Sequence, residues 1–137
     1  MPPFVALLLF ALVGRLGTPA AQPAAERTTA DGVYTAAQAN LGTTVFVEAC
    51  QNCHVPGWER MIGFYGKWHG KPLEQLMTYL RREMPQTDPG SLTPEEYGQV
   101  AAYLLRLTGM PAGAEMLNPD PAALSEIRID SIPSRGR

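Results

Sequence analysis

Cys50-Gln51-Asn52-Cys53-His54 constrains this chain more than any other stretch, because it holds the only two cysteines and one of the two histidines. Two thiols three positions apart, in a chain leaving a helix, can add to the two vinyl groups on one edge of a porphyrin. The next residue then lies under the ring plane, where an imidazole nitrogen can bind iron. Cys-X-X-Cys-His therefore reads as a site of covalent c-type haem attachment. Other chemistries also use a close cysteine pair. A closed zinc site needs four ligands, and only His69 is left to add to the motif. A redox dithiol is expected beside a βαβ pattern, and no such alternation is present. A bare disulfide or redox pair remains the alternative.

A chain of 137 residues, 45% of them hydrophobic, suggests one domain with a core of moderate size. Its 13 glycines and 13 prolines favour a loop-rich fold over a bundle of long helices. The net charge is -2 and no basic run occurs. Nucleic acid is excluded as a partner, since phosphate contacts demand clustered Lys and Arg. So small a charge also argues against long-range steering and leaves docking to an apolar rim around the haem edge.

Residues 4–14 form an apolar run too short to span a bilayer as a helix. Thr18-Pro19-Ala20 follows as a small-X-small cleavage site, so residues 1–20 read as a secretory signal peptide. No Lys or Arg precedes the run, and retention as an uncleaved anchor is the alternative. The expected location is periplasmic or otherwise exported, with membrane attachment only if the segment is retained. Residues 21–32 carry no pattern and read as an N-terminal arm or linker.

The first helix is expected from Thr35 to Glu48 or Ala49. Thr35-Ala36-Ala37-Gln38 fits a capping box, and Gly42, Val45, Phe46 and Ala49 make one apolar face. Gly42 costs helix stability, which close approach of another helix would offset. Residues 55–70 are rich in glycine and aromatics and read as a loop without clear periodicity; such rings can cover a flat apolar cofactor. Pro72 opens the next helix, with Leu73, Leu76, Met77 and Leu80 as its stripe, and Met84-Pro85 ends it. Thr93-Pro94-Glu95-Glu96 caps a further helix burying Tyr97, Val100, Ala101, Leu104 and Leu107 or Thr108, and Gly109 ends it. Beyond it, Asp120-Pro121 can start a short helix reaching about Arg128. Ile127, Ile129 and Ile132 can dock this tail on the body. The pattern implies an all-α fold of three to five helices with long loops.

Iron bound by His54 needs a second axial ligand or an open position. The candidates are His69, Met61, Met77, Met84, Met110 and Met116. Met77 belongs to an apolar stripe and reads as core. Met110 follows a helix-ending glycine and looks like a turn. Met84 alone leaves a helix into a loop long enough to wrap the opposite haem face, so it is the expected ligand. His69 is its main rival, and an open site is the third reading.

The segment from about Asp31 to Gly113 resembles a class I c-type cytochrome of bacterial type. It is similar to the small mono-haem proteins and domains that serve periplasmic quinoprotein dehydrogenases. The attachment motif, Met84-Pro85, and the run from Pro89 to Leu104 carry the likeness. In that family the first and last helices cross through a glycine and an aromatic, positions that Gly42 and Phe46 fit, with Tyr103 and Leu104 opposite. The resemblance implies a cytochrome c domain over residues 33–111; the tail over residues 112–137, with its short helix, falls outside the shared core. It implies one covalent haem c on Cys50 and Cys53, with His54 proximal and Met84 distal. Phe64, Tyr65 and Trp68 stand in the family's aromatic stretch and are candidate haem-pocket residues. Haem attachment of this type takes place outside the cytoplasm, in keeping with export. The implied function is electron carriage without catalysis. Expected partners are redox proteins such as a dehydrogenase or terminal oxidase, the chain being a monomer unless built into a complex. A haem-bearing subunit of a larger oxidoreductase, or a five-coordinate haem sensor or enzyme, is the alternative.

Overall fold

The computed structural model describes residues 26–55 and 63–130. The N-terminal apolar run with its cleavage site, Pro56, Met61 and Ile132 lie outside them. Among the described residues five α-helices occur: α1 (Ala36–Ala49), α2 (Phe64–Trp68), α3 (Leu73–Glu83), α4 (Pro94–Leu107) and α5 (Pro121–Ser125). The helical class is as expected, with one small addition. Arg27–Thr28 (β1) pairs in parallel with Ile127–Arg128 (β2), so the arm is not patternless where it is described.

At the start of α1 the Thr35 hydroxyl accepts from the Gln38 N–H at 3.1 Å. The reciprocal half of the expected capping box is missing, because the Gln38 side chain has another use. It is buried, and its Nε2 donates to Leu117 O at 3.0 Å while its Oε1 accepts from the Leu117 N–H at 2.8 Å. One primary amide thus satisfies both backbone groups of a tail residue that would otherwise be buried unpaired.

Gly42 stands where α1 meets α4. A Cβ there would lie 1.9 Å from Gln99 O and 2.9 Å from Tyr103 Cβ, so only glycine lets the two backbones come this close. One turn on, the rings of Phe46 and Tyr103 pack with centroids 5.0 Å apart. Arg106 donates to Asn40 Oδ1 and Thr43 Oγ1, both at 2.6 Å, and locks the same pair of helices.

In α3 the stripe of Leu73, Leu76, Met77 and Leu80 is buried, which makes Met77 a core residue. Met84 closes the helix in extended geometry (φ -131, ψ 144), as a residue ahead of proline must. α4 opens with a complete capping box. The Thr93 N–H donates to Glu96 Oε2 at 2.7 Å, and the Glu96 N–H donates to Thr93 Oγ1 at 3.2 Å.

α4 is buried more widely than its expected stripe, since Ala102, Tyr103 and Leu105 are covered as well. The tail accounts for part of this: Pro119 and Leu117 O lie 3.6 Å and 3.8 Å from where a Cβ on Gly98 would sit. Leu117, Leu124, Ile127 and Ile129 bury the tail against the body. α5 stops at Ser125, short of Arg128, because residues 127–128 extend to pair with the arm. Ile129 then exchanges two bonds with the corner between α2 and α3. Gly70 N–H donates to Ile129 O at 2.8 Å, and Ile129 N–H donates to Lys71 O at 2.9 Å. Likewise the expected aromatic loop includes α2, whose five residues are too few to display a helical period.

Replacing Gly42 by valine should force α1 and α4 apart and lower stability by about 3 kcal/mol. A thermal melt of the holoprotein reads this loss, and an unchanged midpoint would show that the crossing tolerates a side chain.

Candidate functional site

After Ala49 the chain makes one more turn. The Cys53 and His54 N–H groups both donate to Cys50 O, at 3.1 and 2.9 Å, while Cys50 and Gln51 N–H both donate to Phe46 O at 2.9 Å. This helical turn sets two thiols three positions apart on one side. Both are unpaired; Cys50 is half-buried and Cys53 exposed. Burial pushes the Cys50 thiol up, and the adjacent Cys53 adds to the shift.

Cys50, Cys53 and His54 form one wall of a cavity of about 370 Å³. Phe46 and Ala49 continue that wall along α1, and Val100 and Leu104 face it from α4. Leu76, Tyr79 and Leu80 of α3 close another side. The chain after α3 supplies the last, with Met84, Pro85, Gln86 and Thr87. The Met84–Pro85 peptide is cis. Three stretches, residues 46–54, 76–87 and 100–104, thus converge on one space, with Met84 and His54 both on its lining.

Of the three expected pocket aromatics, Phe64 and Trp68 line the cavity and Tyr65 does not. Positions four apart share a helix face, whereas the next residue is turned away by about 100°. Tyr65 instead donates its hydroxyl to Thr108 O and sets its ring edge-on to Phe64, with centroids 5.7 Å apart. Tyr79 takes the third aromatic place, its ring 5.4 Å from that of Trp68. The sequence signal for it was present: Leu76, Tyr79 and Leu80 stand at i, i+3 and i+4 on one face of α3.

The other ligand candidates fall elsewhere. His69 is exposed and lines a separate groove with Glu26, Thr28, Arg128 and Asp130. Met110 is buried beneath the arm, where its sulfur accepts from Thr29 Oγ1 at 3.2 Å. Met116 is an exposed residue of the tail. Among the described residues Met84 is the only methionine on the cavity lining.

This donor set fits a porphyrin. Two thiols and an imidazole come from one turn, and a thioether comes from a separate loop. The remaining walls are aliphatic and aromatic. Phe46, Leu76 and Leu104 belong both to the buried core and to the lining, so an apolar disc between them would meet apolar surface. No group of three or more His, Cys, Asp or Glu able to hold a metal ion occurs among the described residues.

Residues 37–104 match the protein-family model described as cytochrome C oxidase, cbb3-type, subunit III. The match runs from the first turn of α1 to Leu104, and so takes in every element that walls the cavity. No curated protein and no solved structure matches the chain.

Weighing the denatured protein tests the attachment. The wild-type chain should exceed its bare polypeptide by the mass of one haem, and the Cys50→Ala, Cys53→Ala double variant should not. Equal masses for the two, after allowing for the substitutions, would dismiss covalent attachment.

Proposed function

We propose that this chain, read as a class I c-type cytochrome from the family match over residues 37–104, relays single electrons through one haem c ligated by His54 and Met84. The observation that carries this reading is the shared cavity: Cys50, Cys53, His54 and Met84 all line it, although a long stretch of chain separates the first three from the last. Once bound, the haem supplies a reversible one-electron couple.

The chain's own residues do the rest. Cys50 and Cys53 would hold the ring by its edge, and His54 would take the proximal position. Met84 would take the distal one, and a thioether there raises the potential relative to two imidazoles. Phe46, Phe64, Trp68 and Leu104 line the cavity and would keep water from the ring and lower the local dielectric. If His54 and Met84 both held the iron, substrate would have no open coordination site. That favours outer-sphere transfer at an exposed edge near Cys53, and a carrier over an enzyme or sensor.

A second reading has its own support. The name of the matched family belongs to an oxidase subunit. The domain would then be one haem station inside a terminal oxidase or similar complex, with other redox proteins as donors. In either case residues 1–20 would act as an export signal or anchor, delivering the chain to the periplasm or an equivalent compartment. Residues 21–32 would be the arm, residues 33–111 the haem domain, and residues 112–137 the tail. No helix among the described residues is long and apolar enough to cross a membrane.

Absorption spectra of the Met84→Ala holoprotein beside wild type test the ligation. The variant should lose the ferric charge-transfer band at the red end and gain a high-spin signal. An unchanged spectrum would remove Met84 from the iron. Rapid carbon monoxide binding by the wild-type ferrous protein would favour the five-coordinate alternative.

A further inference from the structure

Tyr97 is a buried residue of α4 whose hydroxyl serves two backbone groups of the Met84 loop at once. It donates to Met84 O at 2.8 Å and accepts from the Gly90 N–H at 3.0 Å. Between those points the chain turns through a bond from Asp88 N–H to Pro85 O at 3.0 Å. The loop presents Met84 and its neighbours up to Thr87 to the cavity. Its two ends are therefore tied to a single oxygen atom on the facing helix.

Little else restrains this loop. Residues 86–91 are exposed, so burial of apolar surface contributes little to their order. Met84 is held on its other side by its own N–H, which donates to Leu80 O at 3.0 Å. α4 is itself anchored by the Thr93–Glu96 box, and Tyr97 sits in its first turns. A phenylalanine at 97 would fill the same space. What the hydroxyl adds is the tie.

We propose that Tyr97 is the positioning residue for Met84, its hydroxyl pinning both ends of loop 84–90 so that the thioether stays on the iron. The inference rests on the reading of Met84 as axial ligand. A neutral sulfur donor on an exposed loop competes poorly with outside ligands unless the ordering entropy of the loop is already met within the fold. Cutting the tie enlarges the share of molecules in which the sulfur has swung away, and an outside ligand gains apparent affinity in proportion to that share.

Imidazole added to the oxidised holoprotein, followed by absorption, measures this share. Tyr97→Phe should bind imidazole about tenfold more tightly than wild type, the change expected from losing two part-buried hydrogen bonds of modest net strength. Met84→Ala should bind it more tightly still. If Met84→Ala gains affinity and Tyr97→Phe does not, the positioning role is refuted while the ligand assignment survives. The role is refuted equally if Tyr97→Phe lowers only the thermal midpoint. If Met84→Ala itself binds imidazole as wild type does, the ligand assignment fails and takes this inference with it. Should Tyr97→Phe not accumulate as holoprotein, amide exchange of the wild type decides. A Gly90 N–H protected about a hundredfold over a free turn supports the tie, and unprotected exchange overturns it.

Discussion

The contact of backbone on backbone at Gly42 is what the rest of this structure depends on. Two helices that touch at one point must separate away from it. Cys50 lies eight residues beyond Gly42, or about 12 Å along the helix axis at 1.5 Å per residue. By that distance α1 and α4 have room between them, and the cavity occupies it. Phe46 and Ala49 line the space from α1, and Val100 and Leu104 from α4. Had Gly42 carried a side chain, the crossing would be wider and the two walls would lose their spacing. Arg106 reaching Asn40 and Thr43 holds the helices at the same point by polar contacts.

α4 works on two fronts, and its composition follows from that. Val100 and Leu104 look into the cavity, while Gly98 lies against the tail at Pro119. A helix covered on most sides has space for small residues, and Ala101 and Ala102 are fully buried. The tail is held by its buried aliphatic side chains and also by specific polar fits. The Gln38 amide on Leu117 is the clearest of them, joined by Arg81 Nη2 donating to Pro119 O at 2.9 Å.

Local signals make the longer helices legible. Thr93 with Glu96, Pro72 ahead of a leucine stripe, and Met84 before Pro85 each act within a few residues, so neighbouring chain alone reveals them. The same is true of the attachment turn, whose spacing is its chemistry. Gln38 misleads for the opposite reason. Its local pattern fits a cap, yet its partner is 79 residues away, and no short-range rule anticipates that. The arm–tail pairing is hidden in the same way, two residues on each strand being too short for an alternating pattern. The aromatic stretch reads as a group in sequence, whereas a single helical turn separates Phe64 and Trp68 from Tyr65. Composition names the right neighbourhood, and only the geometry of α2 sorts its members.

β1 and β2 run side by side in the same direction, with Arg27 opposite Ile127. The start and the finish of the described chain consequently sit at one corner of the molecule. Stitching that corner shut and opening the polypeptide at some other surface loop would give a circularly permuted chain with the same interior. For the native order, a cord attached to either extremity would moor the domain by the same spot.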